Sequence, residues 1–164
     1  MGRKLPVEIS ASVCVMGALA LLILPLKWVL AAAVAGAWHE FCHILAVWLC
    51  GGKIRKMQVG ASGAVIDVLP MSRSKELVSA LAGPAGGVVL VLLLRWLPRV
   101  AVCGAFQSVY NLLPIYPLDG GRALRCGAAI LLPPPVAQKV CLWIELAVKT
   151  LILCVGIYGC FWLR

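Results

Sequence analysis

The chain has 164 residues, of which 63% are hydrophobic and only 13% charged, and its mean hydropathy is +1.02. Because a soluble domain of this size is about half apolar, the composition excludes an ordinary soluble globular protein. The net charge of +9 would suggest nucleic acid as the partner of a soluble protein, but the basic residues lie mostly between apolar stretches, so we expect a lipid bilayer and no nucleic acid as partner.

The apolar residues fall into windows close to the length of a transmembrane helix, which is about 20 residues. Three windows are uncharged and the second has Glu40 as its one charged residue. A fifth window carries Glu145 and Lys149, whose i,i+4 spacing lets them pair on one helix face or lie at an interface. We predict an all-α polytopic membrane protein with about five, between four and six, transmembrane helices. The windows are Ile9 to Leu26, Trp28 to Gly52, Leu77 to Leu94, Val100 to Leu118 and Val140 to Leu163.

The first window follows Arg3 and Lys4, an arrangement that is also typical of a secretory signal peptide. Its uncharged length is at the upper end of the range for the apolar core of a signal, and further windows follow at once. We therefore interpret it as a membrane span that stays in the protein.

The second window contains the two histidines of the chain, His39 and His43, with Glu40 between them. On a helix, residues four apart lie one above the other on the same face, so the two imidazoles can hold one zinc ion. The glutamate would reach the water bound to that ion. Since the window is otherwise uncharged, the pattern predicts a zinc site within the bilayer.

The segment from Lys53 to Leu69 differs from the windows around it, because apolar and polar residues alternate in part of it. Turn residues at 60–63 separate two short β-prone runs, which predicts a short β-hairpin between the second and third helices, at the membrane surface or dipping into it. A plain cytoplasmic loop is the alternative. An exposed hairpin edge can pair with an extended peptide, and strand addition of this kind depends little on the peptide's sequence.

The third window contains Gly83 and Pro84 near its middle, and Gly87 completes a G-x-x-x-G spacing. Small residues permit helices to pack closely, whereas the proline removes a helical hydrogen bond and loosens the span. Two interpretations follow. Either these residues serve helix packing alone, or the loosened span shapes a cavity beside the metal.

The fourth window ends in a run that is not expected to stay helical, because it contains Pro114, Pro117 and two adjacent glycines. Unwound backbone within the membrane needs hydrogen-bond partners for its free N–H and C=O groups, which only protein or trapped water can supply. The run therefore indicates a polar cavity. Asp119 lies at the end of that run. A carboxylate near hydrocarbon costs about 2.5 to 3.5 kcal/mol, which a divalent cation would offset.

Two imidazoles and one carboxylate are a ligand set that leaves zinc a fourth position for water. We therefore predict that one Zn2+ ion is bound by His39, His43 and Asp119. Glu40 would assist the attack of the zinc-bound water on a carbonyl. Asp67, in the hairpin, is the rival third ligand, but no helix-breaking residues adjoin it.

Two other kinds of residue carry a weaker signal. Asn111 lies shortly before the helix break, and we predict that its side chain binds the substrate backbone or the developing oxyanion; a helix-to-helix hydrogen bond is the alternative. The eight cysteines show no C-x-x-C spacing and are interpreted as small buried hydrophobes. Cys42 adjoins His43, but its spacing from the two histidines is awkward for sharing one metal with both.

The basic residues are distributed unevenly between the two sides of the membrane. If the N-terminus is cytoplasmic, ten Lys and Arg residues lie on the cytoplasmic side and four on the other, as the positive-inside rule requires. We therefore expect a multi-pass integral membrane protein with a cytoplasmic N-terminus, in a bacterial cell membrane.

The His-Glu-Phe-Cys-His run at 39–43 and the run from Asn111 to Gly121 resemble the two signatures of the site-2 protease family of intramembrane zinc metalloproteases. The resemblance covers the core from about Trp28 to Arg122, within a single integral-membrane peptidase domain expected over residues 1 to 164. The chain is similar in size to small bacterial members, including the sporulation branch that cleaves a sigma-factor precursor. Members often carry Gly-Pro in the intervening span, as at 83–84, and many have a polar residue shortly afterwards, where this chain has Ala-Gly-Gly at 85–87.

The resemblance implies a zinc metalloendopeptidase that hydrolyses peptide bonds within or near transmembrane segments of membrane-associated protein substrates, with Glu40 as the acid/base. Side chains shield the peptide bonds of a helix, so the substrates of such an enzyme should unwind near the cleaved bond. Two alternatives stay open, a non-catalytic membrane scaffold of the same fold and a membrane transporter, because broken helices with an intramembrane acid also mark ion paths. The identity of the substrate and the presence of a regulatory membrane partner are also left open.

Overall fold

A computed structural model describes residues 7–60 and 63–162 of the chain. Within these residues the chain forms six helices and three short strands. The strands are β1 (Val7–Ile9), β2 (Ile54–Gly60) and β3 (Gly63–Val68), and the helices are α1 (Ala11–Ile23), α2 (Leu26–Leu49), α3 (Arg73–Val91), α4 (Pro98–Asn111), α5 (Asp119–Leu131) and α6 (Pro134–Trp162). The predicted class, mostly helical with a short hairpin, is confirmed.

Among the described helices, α2, α3 and α6 are long and apolar enough to cross a membrane. They have 24, 19 and 29 residues, which at about 1.5 Å per residue gives about 36, 28 and 44 Å, against a hydrocarbon thickness of about 30 Å. α1 and α4 are shorter, with 13 and 14 residues. The number of membrane crossings stays a prediction.

The helices that form in the first and fourth predicted windows are shorter than the windows, and the local sequence explains why. Ile9, the predicted first residue of one window, belongs to β1, and α1 begins only after Ser10, whose side chain accepts a hydrogen bond from the Ser12 N–H at 3.3 Å. The helix then ends before Pro25, because a proline disfavours helical backbone in the residue before it. α4 ends at Asn111, ahead of the two prolines that predicted a break.

The hairpin pairs β2 with β3 in antiparallel fashion, with Gly60 opposite Gly63. β1, which was not predicted from the sequence, runs parallel along the other side of β2 and makes a sheet of order β1-β2-β3. Parallel neighbours require a long crossover connection, which α1 and α2 supply. At this edge Lys56 donates to the Glu8 carboxylate, with 2.7 Å between Nζ and Oε2, and this bond lowers the pKa of the Glu8 carboxyl.

Helices α2 to α5 pack together around small side chains. Most of the buried apolar residues are alanines, among them Ala35 of α2, Ala80 of α3 and Ala101 of α4. A Cβ atom added at Gly87 would overlap the Ser108 hydroxyl of α4, so the glycine permits the close packing of α3 on α4. The end of the G-x-x-x-G spacing at Gly87 therefore serves helix packing.

The last helix, α6, is attached more loosely. Its buried residues Ala137 and Cys141 pack against Ala128 of α5, while most of its apolar side chains are exposed. Glu145 accepts from Lys149 at 2.7 Å and from Arg125 of α5 at 3.3 Å. The charged pair of the fifth window thus pairs on one helix face and also joins α6 to α5.

Candidate metal centre

The two histidines lie on one face of α2, as their spacing predicts. Both side chains are buried, with 3% of His39 and 5% of His43 exposed. The ring centroids are 4.8 Å apart in an edge-to-face arrangement, and the two Nε2 atoms are 3.1 Å apart. Both rings therefore direct the same nitrogen to one point.

Asp119, the first residue of α5, brings a carboxylate to that point. Its Oδ2 atom lies 3.0 Å from Nε2 of His39 and 3.1 Å from Nε2 of His43. An ion held at about 2.0 to 2.1 Å in tetrahedral geometry separates its ligand atoms by about 3.3 Å. The triangle formed by these three atoms is therefore close to one face of a zinc coordination sphere.

The hydrogen bond on the far side of His43 supports the same assignment. Nδ1 of His43 lies 2.7 Å from the Ser79 carbonyl oxygen of α3, and because a carbonyl only accepts, Nδ1 must carry the hydrogen and donate. A neutral imidazole then has its lone pair at Nε2. Metal-binding histidines are typically oriented by such a bond. The donor set thus fits a zinc ion.

His39 is oriented differently. Its Nδ1 atom is buried and makes no hydrogen bond within residues 7–60 and 63–162. Packing around the ring and the contact of Nε2 with Asp119 therefore hold it in place. A nearby glycine contributes to that packing.

Gly83 of α3 forms one wall of the centre. A Cβ atom at this position would overlap Nε2 of His43 and would lie 2.7 Å from Nε2 of His39. The residues around it anchor α3 to its neighbours, since Trp38 donates to the Gly86 carbonyl at 2.9 Å and Ser108 to the Pro84 carbonyl at 2.9 Å. Gly83 therefore leaves space beside the two histidines, whereas the predicted loosening of the span at Pro84 stays a prediction, because α3 runs as one helix through this residue.

The segment 112–118 between α4 and α5 is non-helical, as its prolines predict. Asp119 follows it directly, and the next two residues allow the turn to pack tightly. A Cβ atom on Gly120 would overlap the Leu112 carbonyl oxygen, and one on Gly121 would overlap the backbone of Ile115. Arg122 places a guanidinium nitrogen 3.7 Å from Oδ1 of Asp119, the carboxylate oxygen turned away from the histidines.

The other predicted site residues lie at or outside the edge of this centre. Glu40 is half-buried on α2 between the histidines. Asn111 is the last residue of α4, and its Nδ2 donates to the Gln107 carbonyl at 3.1 Å, so the bond lies within α4 and is not the helix-to-helix alternative. Asp67 is exposed in β3. Across the described ranges, the cluster able to hold a metal consists of His39, His43 and Asp119.

Cys42 faces α3 and not the metal centre, since a Cβ atom on Gly86 would overlap its sulfur. All eight cysteines are free thiols. The expectation that they are buried holds for Cys126 and Cys141, but it is wrong for Cys14, Cys154 and Cys160, which are exposed on apolar helices.

The groups that support the histidines were not predicted from the sequence. Ser79 acts through its backbone carbonyl, which every residue has, so its side chain carries no signal. Pro84 gives no direct indication either, because the carbonyl four residues before it, which loses its helical donor, is that of Ala80 and not of Ser79. Trp38 and Ser108 were not singled out either, since their partners lie 48 and 24 residues away.

Comparison with known proteins agrees with this geometry. A sequence model of the family described as Peptidase M50B-like matches residues 12–116, a stretch that contains both histidines and ends just before Asp119. The structure is similar to that of the site-2 protease from Methanocaldococcus jannaschii, with a TM-score of 0.68 over 97% of this chain and 84% of that chain, at 20% sequence identity. No curated protein sequence matches the chain. Because the family match covers more than half of the sequence and the fold is shared, the chain belongs to the site-2 protease family of M50B-like peptidases.

Proposed function

We propose that this protein is a zinc-dependent endopeptidase that hydrolyses peptide bonds within or next to membrane-spanning segments of its substrates. The observation that carries the proposal is the convergence of His39, His43 and Asp119 to within 3.1 Å of one another. The centre lies between helices of which two, α2 and α3, can cross a membrane.

A zinc ion in this position would lower the pKa of a bound water towards about 7 and would polarise the substrate carbonyl. The three ligand side chains would hold the ion, and the Ser79 carbonyl would keep the His43 ring in the tautomer that ligation requires. Glu40, half-buried between the histidines, would accept a proton and return it to the leaving amine. Asn111, at the end of α4, would hydrogen-bond the substrate backbone.

The substrate must present extended backbone to this centre, because the carbonyl of a helical peptide bond is already engaged. One edge of the sheet supports such binding. β2 lies between β1 and β3, so within the described residues β3 pairs with β2 on one side and has no strand on the other. An extended peptide would add to β3 by strand addition. Substrates would therefore contain helix-breaking residues near the cut or an extended segment next to the membrane.

The test compares Glu40→Gln and a His39→Ala/His43→Ala double variant with wild type, measuring zinc content and cleavage of a membrane-spanning substrate with helix-breaking residues near its centre. Glu40→Gln should keep its zinc and lose at least about 100-fold in cleavage rate, because it lacks the proton acceptor. The double variant should lose both zinc and activity. Glu145→Gln, on α6, is the matched control and should cleave normally, because a glutamine side chain can still accept the hydrogen bonds from Lys149 and Arg125.

Each outcome bears on a different part of the proposal. Full cleavage by Glu40→Gln would remove Glu40 from the reaction. Unchanged zinc content in the double variant would refute the metal centre. Bound zinc without cleavage in the wild type would favour a non-catalytic scaffold of the same fold.

A further inference from the structure

A groove lies between the first turns of α2 and the start of α4, away from the metal centre. Its volume is about 340 Å3, within the range of about 300 to 1,000 Å3 that is typical of ligand pockets. Most of its lining is apolar, and two basic residues border it. The residues that carry the argument are Leu30, Val34, Trp96 and Val100 on the apolar side, with Lys27 and Arg99 as the basic pair.

The groove is separate from the metal centre. Lys27 precedes His39 by 12 residues, which is about 18 Å along α2 at 1.5 Å per residue. The hairpin follows the opposite end of α2. A ligand in the groove would therefore occupy the far end of the helix bundle from the sheet.

The basic residues at this end have no acidic neighbours in sequence. No Asp or Glu occurs in residues 9–39 or 77–118, the stretches that form both walls of the groove. Neither Lys27 nor Arg99 is part of an ion pair among the residues that the structure describes. Both lie in the first turn of their helices, where the helix dipole adds to the positive potential. The groove therefore favours an anion.

The combination of an apolar groove with a pair of cations matches an amphipathic anion. Lys27 and Arg99 can bind a phosphate group, and arginine binds it with two parallel hydrogen bonds. Tryptophan is enriched at the depth where lipid headgroups meet the hydrocarbon core, and Trp96 lines the groove. A zwitterionic headgroup would bring an ammonium group towards two cations, whereas a headgroup without an amine would not.

We propose that this groove binds an anionic phospholipid, with its phosphate between Lys27 and Arg99 and an acyl chain along Leu30 and Val34. The lipid would bridge α2, which carries both histidines, and α4, which leads to the Asp119 turn. It would thus stabilise the pair of helices that the metal centre depends on.

The test measures lipid binding to the full-length, zinc-loaded protein in detergent by native mass spectrometry, with phosphatidylglycerol and phosphatidylcholine of identical acyl chains. Wild type should bind phosphatidylglycerol more tightly than phosphatidylcholine. Lys27→Gln/Arg99→Gln should weaken phosphatidylglycerol binding by about thirty-fold, because each basic residue near a phosphate contributes about a factor of five. Arg95→Gln/Lys139→Gln removes the same charge outside the groove and should bind like wild type.

A second variant tests the apolar part. Val34→Trp keeps both cations and fills the groove, so it should also lose phosphatidylglycerol. Soluble glycerol phosphate, the headgroup without acyl chains, should not compete at equal concentration. Equal loss in both charge variants, undiminished binding by Val34→Trp, or full competition by glycerol phosphate would each overturn the proposal. Because the readout is lipid occupancy, failure of the peptidase proposal would leave this result unaffected.

Discussion

At the scale of single residues, the proposed metal centre requires a position without a side chain as well as its three ligand side chains. His39, His43 and Asp119 supply the donor atoms, but the space in which they meet exists because residue 83 is a glycine. Any larger side chain there would contact both imidazoles. A single added methyl group at Gly83 should therefore be enough to disturb the site.

We expect Gly83→Ala to lower the affinity for zinc by at least about 10- to 100-fold, the range typical of changes next to metal ligands. The added methyl group would overlap Nε2 of His43, so one ring must move out of the ligand triangle. Equilibrium dialysis against a zinc buffer measures the affinity.

The matched control is Gly127→Ala in α5, where an added Cβ meets no atom within 4 Å. That variant should bind zinc normally and gain stability, by at most about 1 kcal/mol, because alanine is the better helix former. Wild-type zinc affinity in Gly83→Ala would show that α3 can withdraw from the histidines and would contradict the assigned role.

At the scale of elements, α3 packs against both the helix that carries the histidines and the helix that leads to Asp119. It contacts α2 through Gly83 and Gly86 and contacts α4 through Gly87. Hydrogen bonds from Trp38 and Ser108 hold it from both sides. Glycines on two faces of α3 therefore allow it to pack closely against both α2 and α4.

We expect Gly87→Ala to destabilise the fold by about 1 to 3 kcal/mol, the usual cost of overpacking. The added methyl group would overlap the Ser108 hydroxyl and would lie 2.6 Å from the Gly104 carbonyl oxygen. Thermal unfolding of the detergent-solubilised protein measures the change.

Adding Ser108→Ala to Gly87→Ala relieves the first overlap and leaves the second, so the double variant should recover only part of the loss. Ser108→Ala alone should cost about 1 kcal/mol, because one buried hydrogen-bond donor is lost. Gly156→Ala in α6, where an added Cβ meets nothing, is the control for helix propensity. Wild-type stability of Gly87→Ala would contradict close α3–α4 packing.

At the scale of the whole molecule, the basic residues are divided unequally between the two ends of the helix bundle. The sheet end carries the basic segment from Lys53 to Lys75, and the groove end carries Lys27, Arg95 and Arg99. Since basic residues are enriched in cytoplasmic loops, the larger basic cluster is expected on the cytoplasmic side. The charge distribution therefore predicts that the sheet faces the cytoplasm and the groove faces the opposite side.

We expect an epitope inserted directly after Gly60, at the hairpin turn, to be cytoplasmic. Antibody should fail to reach it in intact spheroplasts and should bind it in inside-out vesicles. An epitope inserted after Arg95 should give the reverse pattern and is the internal control. Binding to the Gly60 epitope in intact spheroplasts would contradict the cytoplasmic N-terminus.

Local patterns in the sequence were sufficient for several features of the site. The i,i+4 histidines share a helix face because helical geometry requires it. The helix break before Asp119 follows from prolines that lack an N–H group, and the hairpin follows from alternating residues around glycines. Asn111 shows the limit of local patterns, because its predicted substrate contact depends on a partner that the sequence does not contain.

The sequence by itself determined the helical class, the hairpin, the break and the candidate residues, because each depends on the chemistry of neighbours within a few positions. The sequence also favoured Asp119 over Asp67 as the third carboxylate, but only the tertiary structure brings Asp119, 76 residues from His43, next to the histidines and leaves Asp67 exposed. The tertiary structure also decided the Ser79 contact, the wall at Gly83 and the parallel strand β1. These features arise from the packing of distant segments, and no local pattern encodes which backbones will meet.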